Sequence, residues 1–158
     1  MAGGDSVEKQ IVATHRRARH DYHILDTFEA GLVLTGTEVK ALRERKVTLA
    51  EGYARFEGHE LYMVDINIGD YSHAGQRGHL NVHPRKLLLH HRELAKLKKA
   101  VATKGQSIIP LSLYFKSGWA KVELALVKGK QLHDKRRDIA ERESKRLLDR
   151  VLKTRRSG

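Results

Sequence analysis

The spacing of hydrophobic positions changes several times along this chain, and each change marks an element. Residues 1–14 are small and polar with little pattern, which predicts a mobile N-terminus ahead of a body starting at His15. From Tyr22 the apolar positions recur with a strand-like period. Tyr22–Phe28 and Gly31–Thr35 read as two strands meeting at a corner, Glu29-Ala30. Thr37 stands as a cap before a helix over Glu38–Lys46, in which Val39 and Leu42 share a face. Tyr53–Glu57 and Glu60–Ile68 read as a hairpin turning at Gly58-His59, and the glycine-rich stretch 69–81 reads as a loop. Pro84 opens a helical spacing, Leu87, Leu94, Leu97 and Val101, that predicts helix over 85–104 with a break at His90-His91 and a stop at Gly105. Ser107–Lys116 and Trp119–Lys128 are the clearest strands, turning at Ser117-Gly118. Pro110 places the first of them at an edge or a bulge.

About six strands, mostly in hairpins, with two or three inserted helices predict a mainly β fold closed as an antiparallel barrel. The OB type is one small barrel of this kind that binds nucleic acid, and pattern alone does not separate it from other small barrels. After Gly129 the composition changes. Residues 131–158 carry ten Arg and Lys against five Asp and Glu, with only a narrow apolar stripe at Leu147, Leu148, Val151 and Leu152. Charge pairs at i,i+4, such as Glu141 with Lys145, favour a helix by only about 0.2–0.5 kcal/mol each. The organisation expected is therefore a mobile segment 1–14, a barrel over 15–130 and a basic tail over 131–158, disordered alone and helical once a polyanion neutralises it.

Charge narrows the function. Thirty-one Lys and Arg face nineteen Asp and Glu, a net charge of +12. Such an excess selects a polyanionic partner, nucleic acid before anionic membrane. No apolar run has the length of a membrane span, and the first residues lack the profile of a signal peptide, so a cytoplasmic protein is expected. With no cysteine, disulfides and thiolate metal sites are excluded. The ten histidines form no H-E-x-x-H, and there is no nucleophile elbow or P-loop. No metal, no cofactor and no catalytic residue is assigned. A histidine pair cleaving RNA by general acid–base chemistry stays as an alternative, as does a generic single-strand RNA binder built on aromatic platforms.

Three basic clusters are candidates for RNA. The first holds His15, Arg16, Arg17, Arg19 and His20; arginine forks two hydrogen bonds to phosphate and stacks on bases. In the second, 83–90, Arg85 and Lys86 are expected to face RNA while the leucines pack in the core. The third runs from Lys128 and Lys130 through His133, Asp134, Lys135, Arg136 and Arg137. Tyr53, Tyr62, Tyr114 and Trp119 could stack on bases, but their strand positions favour core packing.

Six blocks then occur in one order: 17–22 (RARHDY), 28–32 (FEAGL), 36–43 (GTEVKALR), 85–90 (RKLLLH), 110–114 (PLSLY), and 128–130 with 133–136 (KGK, HDKR). In order and spacing these resemble the SsrA-binding protein (small protein B) family over roughly residues 11–145. The resemblance implies an OB-like barrel that binds the tRNA-like domain of tmRNA and delivers it to 70S ribosomes stalled on mRNA lacking a stop codon. It also implies elongation factor Tu with GTP as a partner on the same tmRNA. Carried over by position, Glu29 and Leu88 belong to the tmRNA face, joined by the basic residues above and Lys40. His133, Asp134, Lys135, Arg136, Arg137, Arg142, Lys145 and Arg146 belong to a tail that meets 16S rRNA at the decoding centre and enters the empty mRNA channel. His15 replaces the asparagine usual in the family, and the loop from Tyr71 to Arg85 departs from it.

Overall fold

The structure, a computed structural model, describes residues 8–74, 78–129 and 143–150. In chain order its elements are β1 (Lys9–Thr14), α1 (Ala18–Asp21), β2 (Tyr22–Leu32), α2 (Gly36–Arg43), β3 (Val47–Thr48), β4 (Tyr53–Glu57), β5 (Glu60–Val64), β6 (Asn67–Ile68), β7 (Arg85–Leu88), α3 (His91–Val101), β8 (Gln106–Lys116) and β9 (Trp119–Gly129). A further helix covers 143–150. Every strand pairing is antiparallel. β8, β4, β5, β7, β2 and β9 pair in that order, and β9 pairs back with β8, so six strands close a ring of the OB-like kind expected. β1 adds to the outer edge of β8, and β3 with β6 forms a separate two-stranded ribbon.

The closing hairpin turns tightly because Ser117 and Gly118 both adopt positive φ, 53° and 80°. That is the conformation in which a two-residue turn follows the strand twist. Inside the ring, Phe28, Ala30, Leu61, Met63, Leu87, Ile108, Leu113, Val122 and Leu124 alternate inward. α3 plugs one end with Leu97, and α2 packs its Ala41 and Leu42 into the same core. A second apolar cluster lies outside the ring, where Ala18 of α1 covers Ile109, Leu111, Ala125 and Val127. Burial on both faces explains why β8 and β9 read as near-continuous apolar runs.

Five expectations change. Glu60–Ile68 is not one strand: β5 ends at Val64, Asp65 turns the chain with a positive φ of 59°, and Asn67–Ile68 joins the separate ribbon. Residues 9–14 are a strand and not part of a mobile segment: Ile11, Val12 and Ala13 are consecutive and show no period of two, because a register shift falls between Ile11 and Ala13, but β8 offers them an edge to pair with. Tyr22 to Leu32 is one strand with a register shift near Leu25, not two strands with a corner at Glu29-Ala30. Thr35, not Thr37, caps α2: its side chain accepts the Glu38 amide, while Glu38 accepts the Thr35 amide at 2.9 Å. Residues 85–88 form strand β7, and only the half of 85–104 beyond His90 is helical. Pro110 adjoins a register shift between Pro110 and Ser112, the bulge its ring requires.

Candidate nucleic-acid interface

Because side chains alternate along strands, the outer face of β7–β2–β9–β8–β1 can be read from the pairing register. Leu88 stands opposite Gly31, Gly31 opposite Lys121, Lys121 opposite Tyr114 and Tyr114 opposite Ile11. These five form one row across the sheet. Gly31 leaves a notch into which Leu88 leans; a side chain there would meet Leu88 at once, its Cβ 3.4 Å from the Leu88 Cβ. Leu88 and Ile11 are about half exposed, although both are apolar. On one side the row is flanked by Glu29, Glu123 and Ser112, on the other by Lys9, Lys116 and Trp119. Trp119 is 72% exposed and lines a groove with Leu88, Val33, Val39, Phe115 and Lys121.

Glu29 is fixed within this face. Its carboxylate accepts the Tyr114 hydroxyl in a short hydrogen bond and lies 3.3 Å from the Lys116 ammonium. The Tyr114 bond holds the Glu29 carboxyl below its ordinary range, with Lys116 and Lys9 assisting against partial burial. The Tyr114 hydroxyl is pushed well above its usual range by burial and then by the same carboxylate. Lys9 rests on the Tyr114 ring, 4.7 Å from its centroid. An oriented acceptor thus sits within reach of Lys116 and Lys9, next to the row that holds Leu88 and Lys121 and across that row from the exposed indole, an arrangement able to meet phosphates, bases and base amino groups together.

The first basic cluster shares this face. α1 sits on β8 and β9 through Ala18, so Arg16, Arg17 and Arg19 stand exposed beside it. His20 pairs with Asp21 at 2.9 Å. His15 is committed to the fold: its amide donates to the Leu111 carbonyl at 2.8 Å, and its ring Nδ1 donates to the Pro110 carbonyl at 3.3 Å. Lys128, exposed and opposite His23, lies at the α1 end of β9. From there to Lys121 is seven residues, about 23 Å along the strand. Lys121 and Lys128 differ in parity and so face opposite sides of β9; the cations of the outer face are therefore the arginines around α1 at one end and Lys121, Lys116 and Lys9 at the other, with Glu29 and Glu123 between.

The second cluster divides. Lys86 and Leu88 point out of the barrel, and Lys86 meets Glu60 at 3.0 Å. Arg85, expected to face RNA, points in and is only 1% exposed. The strand period is the reason: in β7 residues 85 and 87 share the inner face. Arg85 Nε donates to buried Glu38 at 2.5 Å, and its terminal nitrogens donate to the carbonyls of Ile66, His83, Leu80 and Asn81 at 3.0–3.4 Å. The His83 ring adds a donor to Glu38 at 2.8 Å. Arg85 is thus the internal clasp of the 66–85 connection. Lys40 lies over the Tyr71 ring, 5.3 Å from its centroid, and does not line the groove.

Lys130, His133, Asp134, Lys135, Arg136, Arg137 and Arg142 lie outside the described residues. Lys145 and Arg146 are exposed on the 143–150 helix, as are Leu147 and Leu148. The sequence pattern missed Lys121, Lys116 and Lys9 as members of the face. Trp119, expected to pack inward, is instead the most exposed aromatic side chain of the groove. Tyr114 is buried as expected, though its hydroxyl orients the site. Among the described residues no helix is long and apolar enough to cross a membrane.

The profile of the SmpB protein family matches residues 12–154, nearly the whole chain. The chain belongs to the SmpB family. Among similar proteins, the SsrA-binding protein of Thermobifida fusca (strain YX) is 52% identical over 147 residues, 93% of this chain and 92% of that protein. That of Anaeromyxobacter sp. (strain Fw109-5) is 51% identical over 148 residues, 94% of this chain and 90% of its own. A chain of a solved structure described as "tmRNA-SmpB: a journey to the center of the bacterial ribosome" superposes with a TM-score of 0.65 at 46% identity, covering 76% of this chain and 85% of that one. The barrel described above is therefore a SmpB barrel, and its outward-facing row is a surface of an SmpB-family protein.

Proposed function

We propose that this protein is a non-enzymatic RNA-binding factor of trans-translation: it binds the tRNA-like domain of tmRNA and carries it to stalled ribosomes in the bacterial cytoplasm. Membership of the SmpB family, with relatives named as SsrA-binding proteins, is the observation that carries the reading. The β2–β9 side supplies the chemistry. Arg16, Arg17, Arg19 and Lys128 hold phosphates at one end, while Glu29, Lys121, Leu88 and Trp119 meet nucleotides at the other. Lys86 extends this face, and His20 adds a ring donor. The tail, from Lys130 and His133 through Lys135, Arg136, Arg137, Arg142, Lys145 and Arg146, reads ribosomal RNA near the decoding centre and the mRNA channel, with Asp134 beside His133. Elongation factor Tu with GTP occupies the aminoacylated end of the same tmRNA.

The direct test is to purify the tagged chain from bacterial lysate and sequence the RNA that comes with it. tmRNA is expected as the dominant species, and its absence would reject the reading. The dissociation constant for that RNA should rise steeply with salt. The expected log–log slope is roughly −0.7 to −0.9 per phosphate neutralised, because each contact releases counterions. A slope near zero would remove the arginines and lysines from the interface.

Glu29→Ala should weaken tmRNA binding about tenfold, the effect of losing one charge-assisted hydrogen bond of about 1.4 kcal/mol. It also strips the Tyr114 hydroxyl of its acceptor, which lowers stability by about 1 kcal/mol. Tyr114→Phe separates the two effects, since it removes the internal bond and keeps the carboxylate. Isothermal titration of both variants is decisive: near-wild-type affinity for Glu29→Ala would leave Glu29 as an internal acceptor only.

A further inference from the structure

Two apolar surfaces of this chain are left uncovered, and a short tether joins them. One is the groove of about 390 Å³ beside Trp119, at the tip of the β8–β9 hairpin, where Leu88 and Val33 are about half exposed. The other lies on the 143–150 helix, where Leu147 and Leu148 are 62% and 59% exposed. In the sequence Val151 and Leu152 fall one turn further on and continue the stripe. An amphipathic helix laid into an apolar groove covers both surfaces at once. Charge fits as well. Lys121 at the groove and Glu143 at the start of the helix each lack an ion-pair partner among the described residues. Glu143 stands four residues before Leu147, so it borders the stripe one turn back.

The tether decides the occupant. β9 ends at Gly129, and residues 130–142, which lie outside the described ones, join it to Glu143. Extended, that connection reaches up to about 45 Å. The way back along β9 from Gly129 to Trp119 is about 33 Å. The helix can therefore return to the groove of its own barrel. A tether that spans its two sites holds them at an effective concentration of about 1 mM, far above that of a second copy in dilute solution. We propose that the 143–150 helix docks in the groove beside Trp119 in the free protein, and that the tRNA-like domain displaces it. The displacement rests on the functional reading above, in which Leu88, Lys121 and Trp119 belong to the tmRNA face, so that helix and RNA compete for them. Binding of tmRNA thereby frees the tail for the ribosome, and the chain takes its two jobs in order.

Trp119 is the only tryptophan of the chain, so its emission reports on the groove alone. The test uses the full chain with Leu147→Ser and Leu148→Ser combined, which keeps every charge and alters only exposed positions. The double variant should shift Trp119 emission to the red and raise its quenching by acrylamide about twofold, the result of uncovering a groove that is docked about two-thirds of the time. It should also bind the isolated tRNA-like domain about threefold more tightly than wild type, because a groove free in about one-third of the molecules weakens apparent affinity in that proportion. Identical emission and quenching in the two chains overturn the docking. So does wild-type emission that changes on dilution, since the occupant is then a second copy. Unchanged or weaker affinity of the variant for the tRNA-like domain overturns the displacement. Failure of the functional reading is distinct: neither chain would bind the tRNA-like domain, while the emission shift would persist.

Discussion

An Arg85→Ala chain is expected to lose about 3–5 kcal/mol of folding stability, the loss typical of breaking a buried ion pair on one side. Two penalties combine. Glu38, buried in the core, would keep its charge with only the His83 ring and the Thr35 amide to meet it. The carbonyls of Ile66, Leu80 and Asn81 would also lose the donor they share. A lysine cannot substitute, because one ammonium cannot reach Glu38 and four carbonyls spread around a planar fork. Replacing Glu38 and Arg85 together by apolar residues should be milder than Arg85→Ala, since no charge is stranded. Urea denaturation of the three variants ranks these outcomes; a loss under about 1 kcal/mol for Arg85→Ala would mean water satisfies the cluster.

The same pair contributes to the acid sensitivity expected of the fold. Burial pushes the Glu38 carboxyl up from its ordinary 4.5, but the Thr35 amide, Arg85 and His83 outweigh it and hold it lower. A carboxyl depressed in the folded state contributes stability above its unfolded value and loses it as pH falls through the folded one. Stability should therefore drop on acidification below about 4.5, and Glu38→Gln should flatten that drop while lowering stability at neutral pH.

Cutting the chain after Lys130 should abolish peptide tagging on stalled ribosomes while leaving tmRNA affinity within about threefold of wild type. The described barrel is complete at Gly129: β9 has paired along its length with both β2 and β8 before the tail begins. The tail carries a net charge of +5, however, and would take some non-specific affinity with it. Binding measured at moderate salt and tagging measured in a reconstituted translation system keep the two effects apart. A parallel fall in both would mean that the tail only adds charge. His133→Ala is the finer probe: on the proposed function its imidazole meets the decoding centre, where it stacks on or donates to RNA, so the change is expected to reduce tagging with tmRNA affinity intact.

Hairpins were legible in the sequence because their signals are local. Gly58 and Ser117-Gly118 mark the turns, and strand runs flank them. The capping box of α2 was equally local, with Thr35 three residues before Glu38, but Thr37 competed for the assignment. β7 was illegible for a physical reason. Four residues are too few to display period two, and a buried arginine at an inward position reverses the expected polarity. Leucines beyond it continued a helical spacing that is real only from His91. The site was legible in part. Arg16, Arg17, Arg19 and Lys128 advertise themselves as runs of charge. The row of Leu88, Gly31, Lys121, Tyr114 and Ile11 exists only through register between strands, and the Glu29–Tyr114 bond joins residues 85 apart.

The ring also fixes an order of events in the life of the chain. β2 finds its last neighbour in β9, with Tyr22 meeting Gly129, and β1 waits for the end of β8, with Lys9 meeting Lys116. During synthesis the first strands therefore emerge long before anything can pair with them along those edges. Topologies with such distant pairings fold in milliseconds to seconds, slower than helical ones of similar size. At a synthesis rate of about 5–20 residues per second, the roughly hundred residues between β1 and its partner take several seconds to appear. β2 carries no lysine or arginine of its own, so throughout that interval Lys9 and the flanking Arg16, Arg17 and Arg19 are the charges that oppose edge-to-edge pairing of these strands with another chain.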